Sequence, residues 1–223
     1  MLLHDSLKIG SVEGLLRAAE IDHLTARIAE ELGDGNRYSV AGRTRSVHSV
    51  AGEGLERVKE VYEPRGRVEY DELPADVTGM LDAAVARRMG DLRRTFPSAR
   101  RSMDWLYVEY GPGQYVTPHV DYPHNEIAPG RPKVAAIGIV LHEAESGGEF
   151  YVETGGGDAL WTEDGGIKEN ANVHSPWFAG MRRTRWRVTC AAGDALCWGT
   201  QLVHGTEPVS AGRNGKFIGF LGS

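Results

Sequence analysis

Residues 134–141 have the sequence VAAIGIVL, which contains no polar side chain. A short, continuous apolar run of this kind is typical of a strand that is buried on both faces of a sheet. Further short strands are predicted on either side of it, separated by glycine-rich turns, and together they favour a β-sandwich or jelly roll. The predicted strands are Trp105–Tyr110, Phe150–Glu153, Thr184–Cys190, Ala195–Trp198 and Lys216–Leu221.

Upstream of these strands, the spacing of apolar residues changes to that of helices. Ala18–Leu32 has this spacing and is followed by Gly33, which stops a helix. Gly54–Tyr62 and Pro74–Phe96 share the spacing, and we expect one helix in each. Helices first and strands later indicate an α+β fold with a mainly β core and N-terminal flanking helices. We expect a single domain over residues 1–223, with a mainly helical flank at 1–104 and the β core at 105–223.

The segment of about residues 155–183 interrupts the predicted strands. Much of it is rich in glycine and only weakly periodic. Long insertions of this kind in a compact domain are often lids or binding loops. The sequence therefore predicts a lid insertion over one mouth of the β core.

The composition is that of an ordinary globular protein, with 41% hydrophobic and 25% charged residues. The formal net charge of -6 argues against broad binding to a phosphate backbone, so we expect no nucleic-acid partner. The N-terminus lacks a signal-peptide pattern and no apolar stretch approaches a membrane span, so we expect a cytoplasmic protein without a membrane partner. The two cysteines, Cys190 and Cys197, are expected to be reduced.

His119-Val120-Asp121 is the first candidate for a metal site. Residues two apart on a strand face the same side, so a histidine nitrogen and a carboxylate oxygen can meet at one ion. The pattern alone is weak, but His204 follows downstream and Arg213 comes nine residues after it. Two histidines and one carboxylate leave neighbouring positions on Fe(II) open for a bidentate oxo-acid and O2. An inward arginine needs an anion, and the distal carboxylate of such an acid would supply it.

A known family has a similar combination of motifs. Residues 110–115, YGPGQY, lead into His119 and Asp121, and residues 147–150, GGEF, precede His204 and Arg213. This pattern, over about residues 107–221, resembles the 2-oxoglutarate- and iron(II)-dependent oxygenases of the prolyl-hydroxylase-like branch. The resemblance implies a double-stranded β-helix, Fe(II) held by His119, Asp121 and His204 as the catalytic centre, and 2-oxoglutarate anchored by Arg213 beside Tyr110.

The same resemblance implies the reaction. O2 and 2-oxoglutarate would be consumed, CO2 and succinate released, and ascorbate could serve as reductant. The presence of Asp121 favours hydroxylation, desaturation or ring formation over halogenation, because halogenating relatives lack this carboxylate. Prolyl hydroxylases of the collagen type carry lysine where this chain has Arg213, so the substrate class does not transfer.

The substrate contacts are sought in the predicted lid and in the loop after Asp121. Arg183 and Arg185 alternate on one face of a predicted strand and could bind an acidic group of the substrate beside an aromatic wall that includes Trp177. The alternative interpretation is a solvated outer face, since most arginines are exposed. His124 and Asn125 are the next candidates for polar contacts.

The function expected from these observations is hydroxylation of an unactivated C–H bond of a small molecule, which is a free amino acid or a biosynthetic intermediate. The first alternative is a hydroxylase of protein residues, of the prolyl type. The second is a cupin-like binding protein without catalytic activity. A zinc site made from the remaining histidines is disfavoured, because they lack the close paired spacings of structural zinc sites.

Overall fold

A computed structural model defines the fold and describes residues 3–33, 35, 38–39, 42–48, 52–121, 133–155 and 183–223. The helices are α1 (Ala18–Leu32), α2 (Leu55–Tyr62), α3 (Ala75–Arg87) and α4 (Met89–Thr95), and a short 3-10 helix spans Leu3–Leu7. The strands are β1 (Ile9–Val12), β2 (Val68–Tyr70), β3 (Arg101–Tyr110), β4 (Val116–His119), β5 (Lys133–Gly147), β6 (Phe150–Gly155), β7 (Arg183–Val188), β8 (Ala195–Gly199), β9 (Val203–Thr206) and β10 (Val209–Gly222).

The strands form two antiparallel sheets. The larger sheet has the order β1-β8-β5-β10-β3-β2, and the smaller has the order β4-β9-β6-β7. The predicted apolar run 134–141 lies within β5, between β8 and β10, and its side chains are almost all buried. Two such sheets with non-consecutive neighbours form the double-stranded β-helix, or jelly roll, which confirms the predicted fold class.

The two faces of the larger sheet have different roles. Tyr107 and Phe217 face the main hydrophobic core, which also contains Leu81 and Val85 of α3. Because neighbouring residues on a strand point to opposite faces, Val108 lies on the other side of the sheet, in a separate cluster with Tyr110 and Val116. Helices α1, α3 and α4 therefore cover one face and leave the opposite face for a cavity between the sheets.

The helix predicted over Pro74–Phe96 is in fact two helices. The chain breaks at Arg88, whose φ of -107° and ψ of 12° are outside the helical range, and Gly90 weakens helix propensity directly after it. The new direction lets Leu92 and Phe96 pack into the core. The prediction of α1 over Ala18–Leu32 is confirmed.

Residues before 105 contribute more than a helical flank. Both β1 and β2 join the larger sheet, at its two ends in the order above, and β3 begins at Arg101. Most of the predicted lid, residues 156–182, lies outside the described residues. None of the described helices is long and apolar enough to cross a membrane. Cys190 and Cys197 are both free thiols, as expected.

Candidate metal centre and adjoining cavity

The three predicted metal ligands come together between the sheets. His119 ends β4 and lies directly opposite His204 of β9 in the antiparallel pairing. Asp121 follows His119 by two residues, and its Oδ1 is 3.7 Å from His119 Nε2 and 3.4 Å from His204 Nε2. One donor atom from each of the three residues lies within 4.8 Å of the other two. The spacing suits three ligands that share one ion.

Hydrogen bonds orient the three residues so that each keeps one donor atom available for a metal. The Nδ1 of His119 is 2.7 Å from the carbonyl oxygen of Thr117, and the Nδ1 of His204 is 2.9 Å from that of Leu202. A carbonyl only accepts, so each Nδ1 carries the proton and each Nε2 keeps a lone pair for a metal. The third residue, Asp121, accepts a hydrogen bond at Oδ2 from the indole N–H of Trp198 at 2.7 Å, and its Oδ1 faces the two histidines.

The electrostatics favour the protonation states that a metal requires. Burial, together with the neighbouring His204, lowers the pKa of His119 to about 3. Burial alone would raise the pKa of Asp121, but its interactions with His204, His119 and the Trp198 indole outweigh burial and hold the pKa at about 2. At neutral pH His119 is therefore neutral and Asp121 ionised, as a metal site needs. Two histidines and a carboxylate fit Fe(II) with positions left open.

A cavity of about 330 Å³ adjoins the three residues. Lys216 and Phe220 both line it and lie four residues apart on β10, so they are separated by roughly 13 Å along the strand. The lining around Lys216 includes Tyr110 and Thr206, and the lining around Phe220 includes Asp104 and Lys133. The cavity therefore has a Lys216 end and a Phe220 end, with the candidate ligands His119, Asp121 and His204 in its wall.

Lys216 is a buried cation of this cavity, with 8% of its surface exposed. Its ammonium donates to Thr206 Oγ1 at 3.1 Å and lies 5.3 Å from the centre of the Tyr110 ring. Burial and the positive charge of Arg67 lower the pKa of Lys216 to about 8. No carboxylate of the described residues forms an ion pair with it. A buried cation without a counterion is costly, and this one offers a charge-assisted bond to an anion in the cavity.

Arg213, the cation predicted to anchor 2-oxoglutarate, lies elsewhere. Its side chain is 68% exposed, and its guanidinium forms an ion pair with Glu109. Glu109 also accepts a hydrogen bond from Tyr107, so it belongs to the helix-covered face of β3. The pairing of β10 with β5 is irregular around Gly212 and Gly215, and alternation cannot be counted through such breaks. The structure does not bring Arg213 to the cavity.

Lys216 could have been found from the sequence. It alternates with Ile218 and Phe220 on β10, and all three line the cavity. A lone lysine on an otherwise apolar strand face is a detectable signal, because lysine is rarely buried without a reason.

Arg67 is a second buried cation of the cavity that the sequence analysis missed. Its Nη1 donates to Tyr110 Oη at 2.8 Å, and its Nη2 donates to Glu69 at 2.6 Å and lies 3.2 Å from His48 Nε2. The ring of His48 packs edge-on against His119, with 4.7 Å between the ring centres. Unlike Lys216, Arg67 has carboxylate partners, so its main effect is to hold the Tyr110 hydroxyl in place.

The predicted substrate arginines lie on the outside of the smaller sheet. Val152 pairs with His204 across β6 and β9 and belongs to an interior cluster, so Glu153 faces the opposite way. Arg183 and Arg185 both form ion pairs with Glu153, at 2.8 and 2.7 Å. The structure does not bring them to the metal centre, since β7 turns these side chains outward. His124, Asn125 and Trp177 lie outside the described residues.

Comparison with known proteins gives one family match. The family described as "Phytanoyl-CoA dioxygenase (PhyH)" matches residues 11–215. No curated protein matches the chain.

Solved structures match over nearly the whole chain at low identity. A viral collagen prolyl hydroxylase from Paramecium bursaria Chlorella virus-1, in complex with 2-oxoglutarate, is 14% identical with a TM-score of 0.54, covering 100% of this chain and 99% of that one. A prolyl hydroxylase from Trichoplax adhaerens is 12% identical with a TM-score of 0.60, covering 98% and 85%. HygX from Streptomyces hygroscopicus, with nickel and 2-oxoglutarate bound, is 15% identical with a TM-score of 0.57, covering 98% and 84%. These likenesses show the shared fold.

Proposed function

Since the chain belongs to the phytanoyl-CoA dioxygenase family, we propose that it hydroxylates an unactivated C–H bond of a small molecule, which is a free amino acid or a biosynthetic intermediate. Family membership makes the protein a 2-oxoglutarate-dependent oxygenase with Fe(II) as its metal. The substrate, and the residues that bind metal and co-substrate, are the content of the proposal.

Fe(II) is assigned to His119, Asp121 and His204. The observation that carries this assignment is the convergence of their donor atoms within 4.8 Å, with both Nδ1 atoms and Asp121 Oδ2 already engaged in hydrogen bonds. Bound there, Fe(II) would activate O2 with electrons from the conversion of 2-oxoglutarate to succinate and CO2. The protein's own task is to keep the ligands oriented, and Trp198 does this for Asp121.

The distal carboxylate of 2-oxoglutarate is assigned to Lys216 in place of Arg213. Lys216 lacks a carboxylate partner among the described residues, and it lies in the same cavity as the metal ligands. Thr206, which already accepts a hydrogen bond from Lys216, and Tyr110, which Arg67 holds in place, border the same end. A carboxylate there would provide the counterion that the buried ammonium lacks.

The small-molecule assignment is supported by the size and shape of the cavity. Its volume of about 330 Å³ is at the lower end of the range for small-molecule sites, and 2-oxoglutarate must share it with the substrate. Apolar side chains of Leu106 and Ile218 line the space between its two ends, where they would exclude water from the reacting C–H bond. The alternative of a protein-residue hydroxylase remains an outcome of the test.

The test begins with the purified protein, Fe(II), 2-oxoglutarate, ascorbate and air. Succinate formation without added substrate, lost in His204→Ala, is expected. A metabolite extract is then added, and mass spectrometry is used to find a molecule that gains one oxygen. Absence of succinate under every condition would contradict the enzyme assignment, and oxygen gain in peptides alone would favour the protein-residue alternative.

A further inference from the structure

Asp104 has an unusual backbone conformation in the middle of a strand. Its φ is 56°, and it is the one non-glycine residue with positive φ among the residues that the structure describes. The pairing of β3 with β10 is irregular here, so that Asp104 and Trp105 together lie opposite the single residue Gly219. Two residues against one define a β-bulge, and bulges beside active sites often redirect a side chain.

The neighbouring contacts establish the effect of this bulge. Ser102 Oγ and Trp105 Nε1 both donate to Asp82 of α3, at 2.6 and 2.8 Å. Residues three apart on a regular strand face opposite sides, yet these two reach the same helix. Asp104 is therefore the extra residue, and it lines the cavity at the Phe220 end.

Asp104 forms a charged pair at that end of the cavity. Its Oδ2 lies 3.3 Å from the ammonium of Lys133, which in turn lies 3.8 Å from the centre of the Phe220 ring. The side chains of Asp104 and Lys133 are 48% and 23% exposed, so both are accessible to a molecule entering the cavity. The pair is at the opposite end from Lys216, the proposed anchor of 2-oxoglutarate, and so lies where a second molecule would bind.

We propose that Asp104 and Lys133 bind the ammonium and the carboxylate of a free α-amino acid, an inference that rests on the proposed function. A molecule with one charge would satisfy one member of the pair and deprive the other of its partner. A zwitterion satisfies both, because its ammonium replaces Lys133 beside Asp104 and its carboxylate replaces Asp104 beside Lys133.

The position of the pair also indicates which part of the amino acid would be oxidised. Phe220 pairs with Ala136 of β5, and Ala136 pairs with Trp198 of β8, which bonds Asp121. Two strand spacings, roughly 10 Å, therefore separate Phe220 from Trp198. With its charged groups at the Phe220 end, the amino acid would present a side-chain carbon, rather than its α-carbon, to the metal centre.

The test is a cycle of protein variants and blocked substrates. Free L-amino acids, their N-acetyl derivatives and their carboxamides are compared for stimulation of succinate formation and, without O2, for thermal stabilisation of the protein loaded with Fe(II) and 2-oxoglutarate. Asp104→Asn removes the charge, and asparagine tolerates the positive φ. Lys133→Gln removes the opposite charge. Asp71→Asn is the matched control, because it removes a carboxylate from the ion pair with Arg45, outside this cavity.

Asp104→Asn is expected to raise KM for the best free amino acid roughly ten- to a hundredfold, the effect of losing a charge-assisted bond, and to leave KM for its N-acetyl derivative nearly unchanged. Lys133→Gln should do the same for the free acid and spare the carboxamide. The proposal is overturned if both variants affect free and blocked compounds equally, or if no free amino acid stimulates or stabilises the wild-type protein. Succinate formation by the wild type without substrate tests the enzyme assignment separately.

Discussion

Replacing Lys216 by methionine is expected to stabilise the protein while impairing its use of 2-oxoglutarate. In the folded chain the pKa of Lys216 falls from 10.5 to about 8. At 1.36 kcal/mol per pKa unit, keeping this ammonium charged at neutral pH costs roughly 3 kcal/mol. Methionine removes that cost but leaves Thr206 without its donor, which costs about 1 kcal/mol. The free energy of unfolding should therefore rise by about 2 kcal/mol.

The same replacement removes the proposed partner of the distal carboxylate. Loss of a charge-assisted hydrogen bond costs about 1.5–3 kcal/mol, so KM for 2-oxoglutarate should rise roughly ten- to a hundredfold. Arg213→Met is the matched control. Its exposed ion pair with Glu109 contributes at most about 1 kcal/mol to stability, and KM should stay near the wild-type value.

Two measurements test whether Lys216 or Arg213 anchors 2-oxoglutarate. They are urea unfolding without co-substrate, and KM for 2-oxoglutarate from succinate formation at saturating iron. Higher stability combined with higher KM in Lys216→Met is the signature of a residue that is retained for binding at the expense of stability. A high KM in Arg213→Met together with a normal KM in Lys216→Met would refute the reasoning and restore Arg213 as the anchor.

Four further expectations concern the same site. Alanine at any one of the proposed iron ligands, for example His119→Ala, should abolish turnover and leave the circular dichroism spectrum intact. Trp198→Phe should weaken iron binding roughly ten- to a hundredfold, measured by titration, because Asp121 loses the hydrogen bond from the indole N–H that orients it. Arg185→Ala should leave substrate KM unchanged, and an increase would return that residue to the site. The pKa of Lys216 is lower in the folded than in the unfolded protein, so the buried charge destabilises the fold fully below about pH 8 and not at all well above pH 10.5. Lys216 should therefore make the free energy of unfolding rise with pH between these values. In Lys216→Met this rise should be smaller.

Local patterns in the sequence were sufficient for much of the fold. Strand 134–141 and helix Ala18–Leu32 could be predicted because the faces that become buried determine the spacing of apolar residues along the sequence. His119 and Asp121 could be predicted as a pair because both lie within one short stretch of chain. Their convergence with His204 required the resemblance to a known family, since strand pairing across distant parts of a chain has no local signal.

The remaining features depend on register, which spacing alone does not determine. Arg213 was placed in the cavity by counting from His204, but the irregular pairing of β10 separates it from Lys216, which is in the cavity. The bulge at Asp104 is equally hidden, because non-glycine residues with positive φ are uncommon and no glycine marks this position. Arg67 lies between two of the predicted helices and directly precedes the three-residue strand β2, which was not predicted.

The pairing of β6 with β7 has an evolutionary consequence. Gly155 and Arg183 are cross-strand partners, so the sheet holds the two residues on either side of positions 156–182 next to each other. An antiparallel pair of this kind can be joined by a segment of almost any length, because the entropy of closing a loop grows only slowly with its size. Lineages, or protein engineers, can therefore change the length and sequence of the chain between Gly155 and Arg183 while the opposed pair His119 and His204 stays in register.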